Sequence, residues 1–193
     1  MIAYLRGQYT FKSPAMVHVE VQGVGYEVNI SLNTYSQIQD KDQGLLHTYL
    51  QVREDAHVLY GFYDLAEKQL FMQLIGVTGI GAGTARMMLS SQQPEEITRA
   101  IVQGEVKLLE RIKGIGKKTA ERIVLELKDK LAKAASTTNF SAGISNSLGQ
   151  DALNALIALG IARSVAEPVV KKVLSADPSA SLESLIKKSL QSI

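Results

Sequence analysis

The feature that most constrains this chain is a nine-residue phrase that occurs twice. The first copy is VTGIGAGTA at residues 77–85 and the second is IKGIGKKTA at residues 112–120, which places Gly79 on Gly114 at an offset of 35 residues. Each copy follows one amphipathic stretch and opens another, which predicts a helix, a tight corner at Gly-Ile-Gly and a second helix. The sequence therefore predicts a duplicated helix-hairpin-helix unit.

The glycines of the two corners predict an anion site built from backbone. A Gly-Ile-Gly corner permits positive φ angles, and the missing side chains let a phosphate approach the main chain. Because the next helix begins at once, its first unpaired N–H groups and the positive end of its dipole face that phosphate. Such a site reads charge and shape but no base. We expect nucleic acid to be bound without sequence preference, with Ile80 and Ile115 turned inward as anchors.

The candidate backbone-binding residues come from both hairpins and from the helices that follow them. The alternative is a repeated helical hairpin that only packs, but packing alone does not require three glycines at 79, 81 and 83. Binding is therefore the favoured interpretation. The candidates are Gly79, Gly81, Gly83, Thr84, Gly114, Gly116, Lys117, Lys118, Thr119 and Arg122.

Charge is distributed unevenly along the 193 residues, although the net charge is only +2. Residues 1–63 carry a net charge of −2, residues 64–133 carry +3 and residues 134–193 carry +1. Positive charge thus concentrates where the repeats are. The absence of cysteine excludes disulfides and thiolate zinc sites and fits a reducing compartment. Without a signal-peptide pattern or a membrane-length apolar run, we expect a soluble, cytoplasmic protein that does not engage membranes.

Residues 1–63 are predicted to form a small β-barrel. Apolar and polar residues alternate on both sides of the turn signal QGVG at residues 22–25, and further strands are expected at 45–52 and 58–63. Five or six short strands suit a closed barrel of the oligonucleotide-binding (OB) type. A generic barrel used for assembly is the alternative, because the aromatic residues could fill a core as well as stack on bases.

Residues 64–133 are predicted to be all-α. Pro94 and Gly104 bracket a helix between the two repeats. Two apolar faces are expected, one on the first helix and one on the last. The first is Leu65, Gln69, Met72 and Ile75, and the second is Ala120, Ile123, Val124, Leu127 and Leu131.

Residues 134–147 have the composition of a flexible linker, since no charged residue occurs there. Residues 148–193 predict a small three-helix bundle of the UBA-like kind, with capping boxes at Ser147 and Ser164 and a last helix from Ser181. A bundle of this size is too small for an active site and favours docking to another protein. The candidate docking residues are Leu159, Ile161, Val169, Val173 and Leu185. The chain is thus predicted to be an α+β multidomain protein.

No catalytic residue, metal site or cofactor is predicted. The run from Gly114 to Thr119 lacks the Gly-x-x-x-x-Gly-Lys-Ser/Thr order of a phosphate-binding loop, so ATP hydrolysis is not expected. The paired acids Glu54 and Asp55 have three interpretations: a solvated hairpin tip, part of a metal site for phosphodiester cleavage, or charges that keep phosphates away from one place. A third metal ligand is not evident from the sequence.

Four features of the chain point to one family: MIAYLRG at residues 1–7, VREDAHVLYGF at 52–62, the two hairpins and the helical tail. Together they resemble the RuvA family, which binds Holliday junctions in bacterial branch migration. The resemblance implies a homotetramer, or two stacked tetramers, that holds a four-way junction open during recombination, repair and the SOS response. It also implies that Glu54 and Asp55 form a central acidic pin, that the tail binds the hexameric ATPase RuvB, and that the resolvase RuvC shares the junction.

One departure from the family lies in the first hairpin, which usually ends in Pro-Lys but here has Ala82-Gly83. We expect the first hairpin to bind through its amides and Thr84, and the second to carry more of the salt-dependent affinity. The sequence leaves two other classes of function open. They are a helix-hairpin-helix nuclease or DNA glycosylase, and a scaffold whose hairpins make only protein contacts.

Overall fold

The computed structural model describes the backbone of residues 1–138, 144–177 and 180–193, and the side chains of these residues except 133–138 and 144–147. Two compact units are present, Met1–Ala135 and Ser136–Ile193. Of the predicted linker, residues 134–138 end one helix, residues 144–147 begin the next, and residues 139–143 lie outside the described residues. No helix among the described residues is long and apolar enough to cross a membrane.

The first unit begins with a closed five-stranded barrel. Its strands follow the order β1-β2-β3-β5-β4, in which β3 and β5 pair in parallel and the other pairs are antiparallel. A short helix, α1, lies between β3 and β4 and was not predicted. The elements are β1 (Tyr4–Ser13), β2 (Met16–Val21), β3 (Val24–Ile30), α1 (Leu32–Ile38), β4 (Gln43–Val52) and β5 (His57–Phe62).

The predicted hairpin between β2 and β3 is confirmed. Val21 pairs with Val24, and the two turn residues Gln22 and Gly23 have φ angles of 51° and 84°, as a tight two-residue turn requires. Alternate residues of the strands form the barrel core, as period-two patterning predicts. The aromatic residues divide between core and surface: Tyr9 is buried, whereas Tyr4 and Phe11 are exposed.

Five helices complete the first unit. They share a core with the end of the barrel. Phe62 at the end of β5 packs against Phe71 of the first of these helices, with ring centroids 4.8 Å apart. The predicted bracket around the fourth helix is confirmed, with Pro94 in its first turn and Gly104 at φ 76° at its end. The helices are α2 (Leu65–Ile75), α3 (Ala82–Ser91), α4 (Pro94–Gln103), α5 (Val106–Glu110) and α6 (Lys117–Thr138).

The predicted apolar face of α6 is confirmed, but that of α2 is wrong. Leu65 and Met72 are exposed, and the buried face instead consists of Glu67, Leu70, Phe71 and Leu74. The aromatic side chains at the end of β5 select this face, because Tyr60 and Phe62 both pack against Phe71.

A buried carboxylate joins α1 to α2. The hydroxyl groups of Ser31 and Thr34 donate hydrogen bonds to Glu67, the second at 2.6 Å, and Thr34 accepts in turn from the backbone N–H of Tyr63 at 2.9 Å. Burial raises the pKa of Glu67 above its ordinary value, while the two hydroxyl groups oppose the rise. This network fixes α1 of the barrel against the start of α2.

The second unit contains three helices in its described residues: α7 (Ile144–Ala158), α8 (Arg163–Ala176) and α9 (Leu182–Gln191). Ser181 caps α9 as predicted, by accepting from the backbone N–H of Ser184. The two capping boxes predicted at Ser147 and Ser164 are wrong. Ser147 lies inside α7, and the residue that precedes α8 is Ala162, which makes no side-chain cap.

Candidate nucleic-acid interface

The two predicted hairpins have the same backbone hydrogen bonds. The N–H of Ile80 donates to Val77 at 3.0 Å, and the N–H of Ile115 donates to Ile112 at the same distance. One step later, Ala85 donates to Gly81 and Ala120 donates to Gly116, both at 2.9 Å. The repeat seen in the sequence is therefore a repeat in structure.

One glycine in each hairpin is required by its backbone angles. Gly79 has a φ of 94° and Gly114 a φ of 91°, a region that side chains other than glycine rarely adopt. Gly81, Gly83 and Gly116 lie outside that region, but a Cβ atom added at any of them would have no neighbour within 4 Å. These three positions therefore leave the backbone open to an approaching group.

The central isoleucines anchor the hairpins as predicted. Ile80 and Ile115 are each only 5% exposed, and they belong to the helical core of the first unit. The alanines that follow, Ala85 and Ala120, are fully buried. Burial of these side chains turns the glycines on either side of each isoleucine towards solvent.

The helices that leave the hairpins begin with unpaired donors. The backbone N–H groups of residues 82–84 in α3 and 117–119 in α6 have no acceptor among the described residues. Helix N-termini concentrate such donors and carry a partial positive charge. Each hairpin therefore presents three adjacent amides, next to exposed glycines, to any bound anion.

The candidate side chains lie around these amides, but one of them makes a contact that was not predicted. Lys117 and Lys118 are exposed, and Thr84 and Thr119 are half-buried. The guanidinium of Arg122 reaches across to the other repeat, where it donates to the carbonyl of Thr78 at 3.2 Å. Two further cations of the second repeat, Arg111 and Lys113, are also exposed and were not predicted as candidates, although the 35-residue alignment places both beside the second hairpin.

Helix α3 is fixed to the barrel by a second arginine that the sequence did not reveal. Arg86 donates from Nη1 to the side-chain oxygen of Asn29 at 2.6 Å and to the carbonyl of Ala15 at 3.0 Å. On the same helix, the carbonyl of Leu89 accepts from the Asn33 side chain at 2.8 Å. The first hairpin thus has a fixed position relative to the barrel.

The paired acids lie in the loop between β4 and β5. Glu54 and Asp55 are both exposed, and the loop is closed by a hydrogen bond from the N–H of Arg53 to the carbonyl of Ala56 at 2.9 Å. Among the described residues, no three histidine, aspartate or glutamate side chains converge as a metal site.

The candidate docking residues of the second unit differ in exposure. Leu159 is 64% exposed, and Ile161, Val169 and Val173 are half-buried. Leu185 is fully buried in the core of the bundle, which leaves it no surface for a partner. Other apolar side chains of this unit are exposed and were not predicted, namely Ile157, Val165, Leu182, Leu190 and Ile193.

Comparison with known proteins agrees with this architecture. The chain matches the family model of the RuvA N-terminal domain over residues 1–61, the SAM-like helix-hairpin-helix tandem over residues 71–129 and the RuvA C-terminal domain over residues 147–193. It is 46% identical over 193 residues to the Holliday junction branch migration complex subunit RuvA of Christiangramia forsetii, with both chains fully covered. The identity is 46% to the RuvA of Cytophaga hutchinsonii, with 99% of each chain covered, and 45% to that of Flavobacterium psychrophilum, with both chains fully covered. The chain belongs to the RuvA family.

Proposed function

We propose that this protein binds four-way DNA junctions and acts as the non-catalytic DNA-binding subunit of a branch migration complex, in recombination and repair. Its relatives carry the name of that subunit, and the chain matches them over 99% or more of their length. The observation that carries the proposal is the pair of equivalent hairpins, each with an exposed glycine corner and three unpaired amides.

The hairpins account for binding that is independent of sequence. A phosphate placed at the start of α3 or α6 would accept hydrogen bonds from backbone N–H groups and gain from the helix dipole. Lys117 and Lys118 are exposed beside the second of these sites and would add salt-dependent attraction. Both hairpins lie in one compact unit, so each chain holds two backbone contacts at a fixed separation.

Branch migration further requires that base-paired strands separate at the centre of the junction. Glu54 and Asp55 are exposed on a loop and are suited to repel phosphates there. In a homotetramer, two acids from each chain would form a central acidic pin. We propose the tetramer as the working assembly, and two tetramers on one junction are the alternative.

The second unit is proposed to dock the motor. It exposes the apolar side chains Leu159 and Val165 on a three-helix bundle. The partner would be the RuvB ATPase, which would supply ATP hydrolysis, and the RuvC resolvase would share the junction. Residence in the cytoplasm and a part in the SOS response stay predictions.

A gel-shift titration tests the proposed function. The protein is added to a four-way junction and to a linear duplex of the same arm sequence, with and without magnesium. We expect tighter binding of the junction, in both conditions and without cleavage. Equal affinity for both substrates would contradict structure-selective binding, and cleavage that requires magnesium would favour a nuclease. No binding to either DNA would favour a protein scaffold.

A further inference from the structure

The two hairpins are equivalent in backbone but very different in charge. Residues 111–125 of the second repeat carry five basic side chains and one acidic side chain, whereas the aligned residues 76–90 carry Arg86 alone. Arg86 is already engaged by the barrel through Asn29 and Ala15. The first hairpin therefore has no cation of its own for a phosphate.

A cation from the second repeat lies beside the first hairpin. Arg122 donates from Nη1 to the carbonyl of Thr78, the residue immediately before the positive-φ Gly79. Its Nε lies 4.0 Å from Glu126, and its side chain is 51% exposed. Nε is thus engaged in an ion pair, whereas the second N–H of Nη1 and both N–H groups of Nη2 have no acceptor in the described part of the chain and are free to donate to an anion.

The second repeat places a cation beside the first hairpin, but the first repeat does not place one beside the second. The residue of α3 that aligns with Arg122 is Met87, which is uncharged and 46% exposed. The second hairpin receives no cation from that position, but it has Lys117 and Lys118 of its own. The cation beside the first hairpin thus comes from the other repeat, whereas the second hairpin has cations of its own.

We propose that Arg122 is the phosphate-binding cation of the first hairpin, an assignment that rests on the proposed function. Arginine is suited to both tasks, because its guanidinium carries five N–H donors on a rigid plane and keeps its charge at every working pH. One Nη1 donor holds the carbonyl of Thr78, Nε pairs with Glu126, and the free Nη1 and Nη2 donors bind a phosphate held at the amides of residues 82–84.

A coupling experiment with an added lysine tests this assignment. Gly83 is the site for that lysine, because it lies in the first turn of α3 with open space and no positive φ. Arg122→Gln and the matched control Lys118→Gln remove one exposed charge each from the same helix. Each is made with and without Gly83→Lys, and junction affinity is measured over a salt series. Thermal unfolding and Arg122→Lys, which keeps the charge, identify any purely structural effect.

We expect Arg122→Gln to reduce the slope of log affinity against log salt by about 0.9 for each site engaged, and Arg122→Lys to preserve the slope. Gly83→Lys should restore the affinity of Arg122→Gln by about fivefold but improve Lys118→Gln by less than about twofold, because Arg122 already serves the first hairpin there. Equal gains in both backgrounds, or an unchanged slope in Arg122→Gln, would overturn the assignment. If neither glutamine variant weakened binding, the proposed function would fail as well.

Discussion

Replacement of Arg86 by methionine measures how firmly the first hairpin is fixed to the barrel. The change removes two hydrogen bonds from a charged donor, to Asn29 at 2.6 Å and to Ala15 at 3.0 Å, while it keeps an apolar stem of similar length. Hydrogen bonds to charged groups contribute about 1.5–3 kcal/mol each. The carbonyl of Ala15 keeps its bond from Ile30, and water can reach half-buried Asn29, so we expect a total loss of about 2 kcal/mol.

Tyrosine fluorescence reports this loss selectively. All seven tyrosines lie in residues 4–63, and the chain has no tryptophan, so the signal comes from the first unit. For a unit of this size, about 2 kcal/mol corresponds to a fall in Tm of about 7 °C. Arg99→Met is the matched control, because Arg99 is exposed on α4 and has no partner among the described residues. A fall below about 2 °C for Arg86→Met, or an equal fall for the control, would refute the reasoning.

Three further predictions concern the buried carboxylate, the small bundle and the acidic loop. Burial raises the pKa of Glu67, so the folded protein loses stability as this carboxyl ionises. In urea titrations, the unfolding free energy of the wild type relative to that of Glu67→Gln should therefore fall as pH rises from about 4 to about 7, and a rise would contradict the assignment. Leu185→Ala should cost the second unit about 3 kcal/mol, visible as lost helical circular dichroism, while junction affinity stays unchanged. Glu54→Gln combined with Asp55→Asn should tighten junction binding about threefold at low salt but not at high salt, and a salt-independent effect would exclude phosphate repulsion.

The parts of the fold predicted correctly are those encoded by local patterns. Each hairpin depends on a glycine, Gly79 or Gly114, because the backbone has a positive φ angle there. Each also depends on an isoleucine that is buried in the core. The barrel follows from period-two alternation, and the tight turn between β2 and β3 follows from Gln22-Gly23. Each of these signals lies within a few neighbouring residues, so one sequence is sufficient to find them.

The parts missed depend on contacts between distant residues. Helix α1 has only seven residues, several of them weak helix formers, and is stabilised by Glu67 from 33 or more residues away. The face of α2 could not be chosen from sequence, because apolar residues occur on both sides and only Tyr60 and Phe62 decide which one is buried. Arg86 and Arg122 likewise act across 57 and 44 residues of sequence.

The most direct test of the account is to cover the hairpin amides without straining the backbone. Gly81→Val combined with Gly116→Val adds bulk at two open positions outside the positive-φ region, and Gly25→Val adds the same bulk at an open position of the barrel. We predict about a 30-fold loss of junction affinity for the double variant, since two phosphate contacts of about 1 kcal/mol are blocked, and no loss for the Gly25 control. Junction affinity within about twofold of wild type, in a double variant whose tyrosine fluorescence shows a folded first unit, would contradict the claim that main-chain amides hold the DNA backbone.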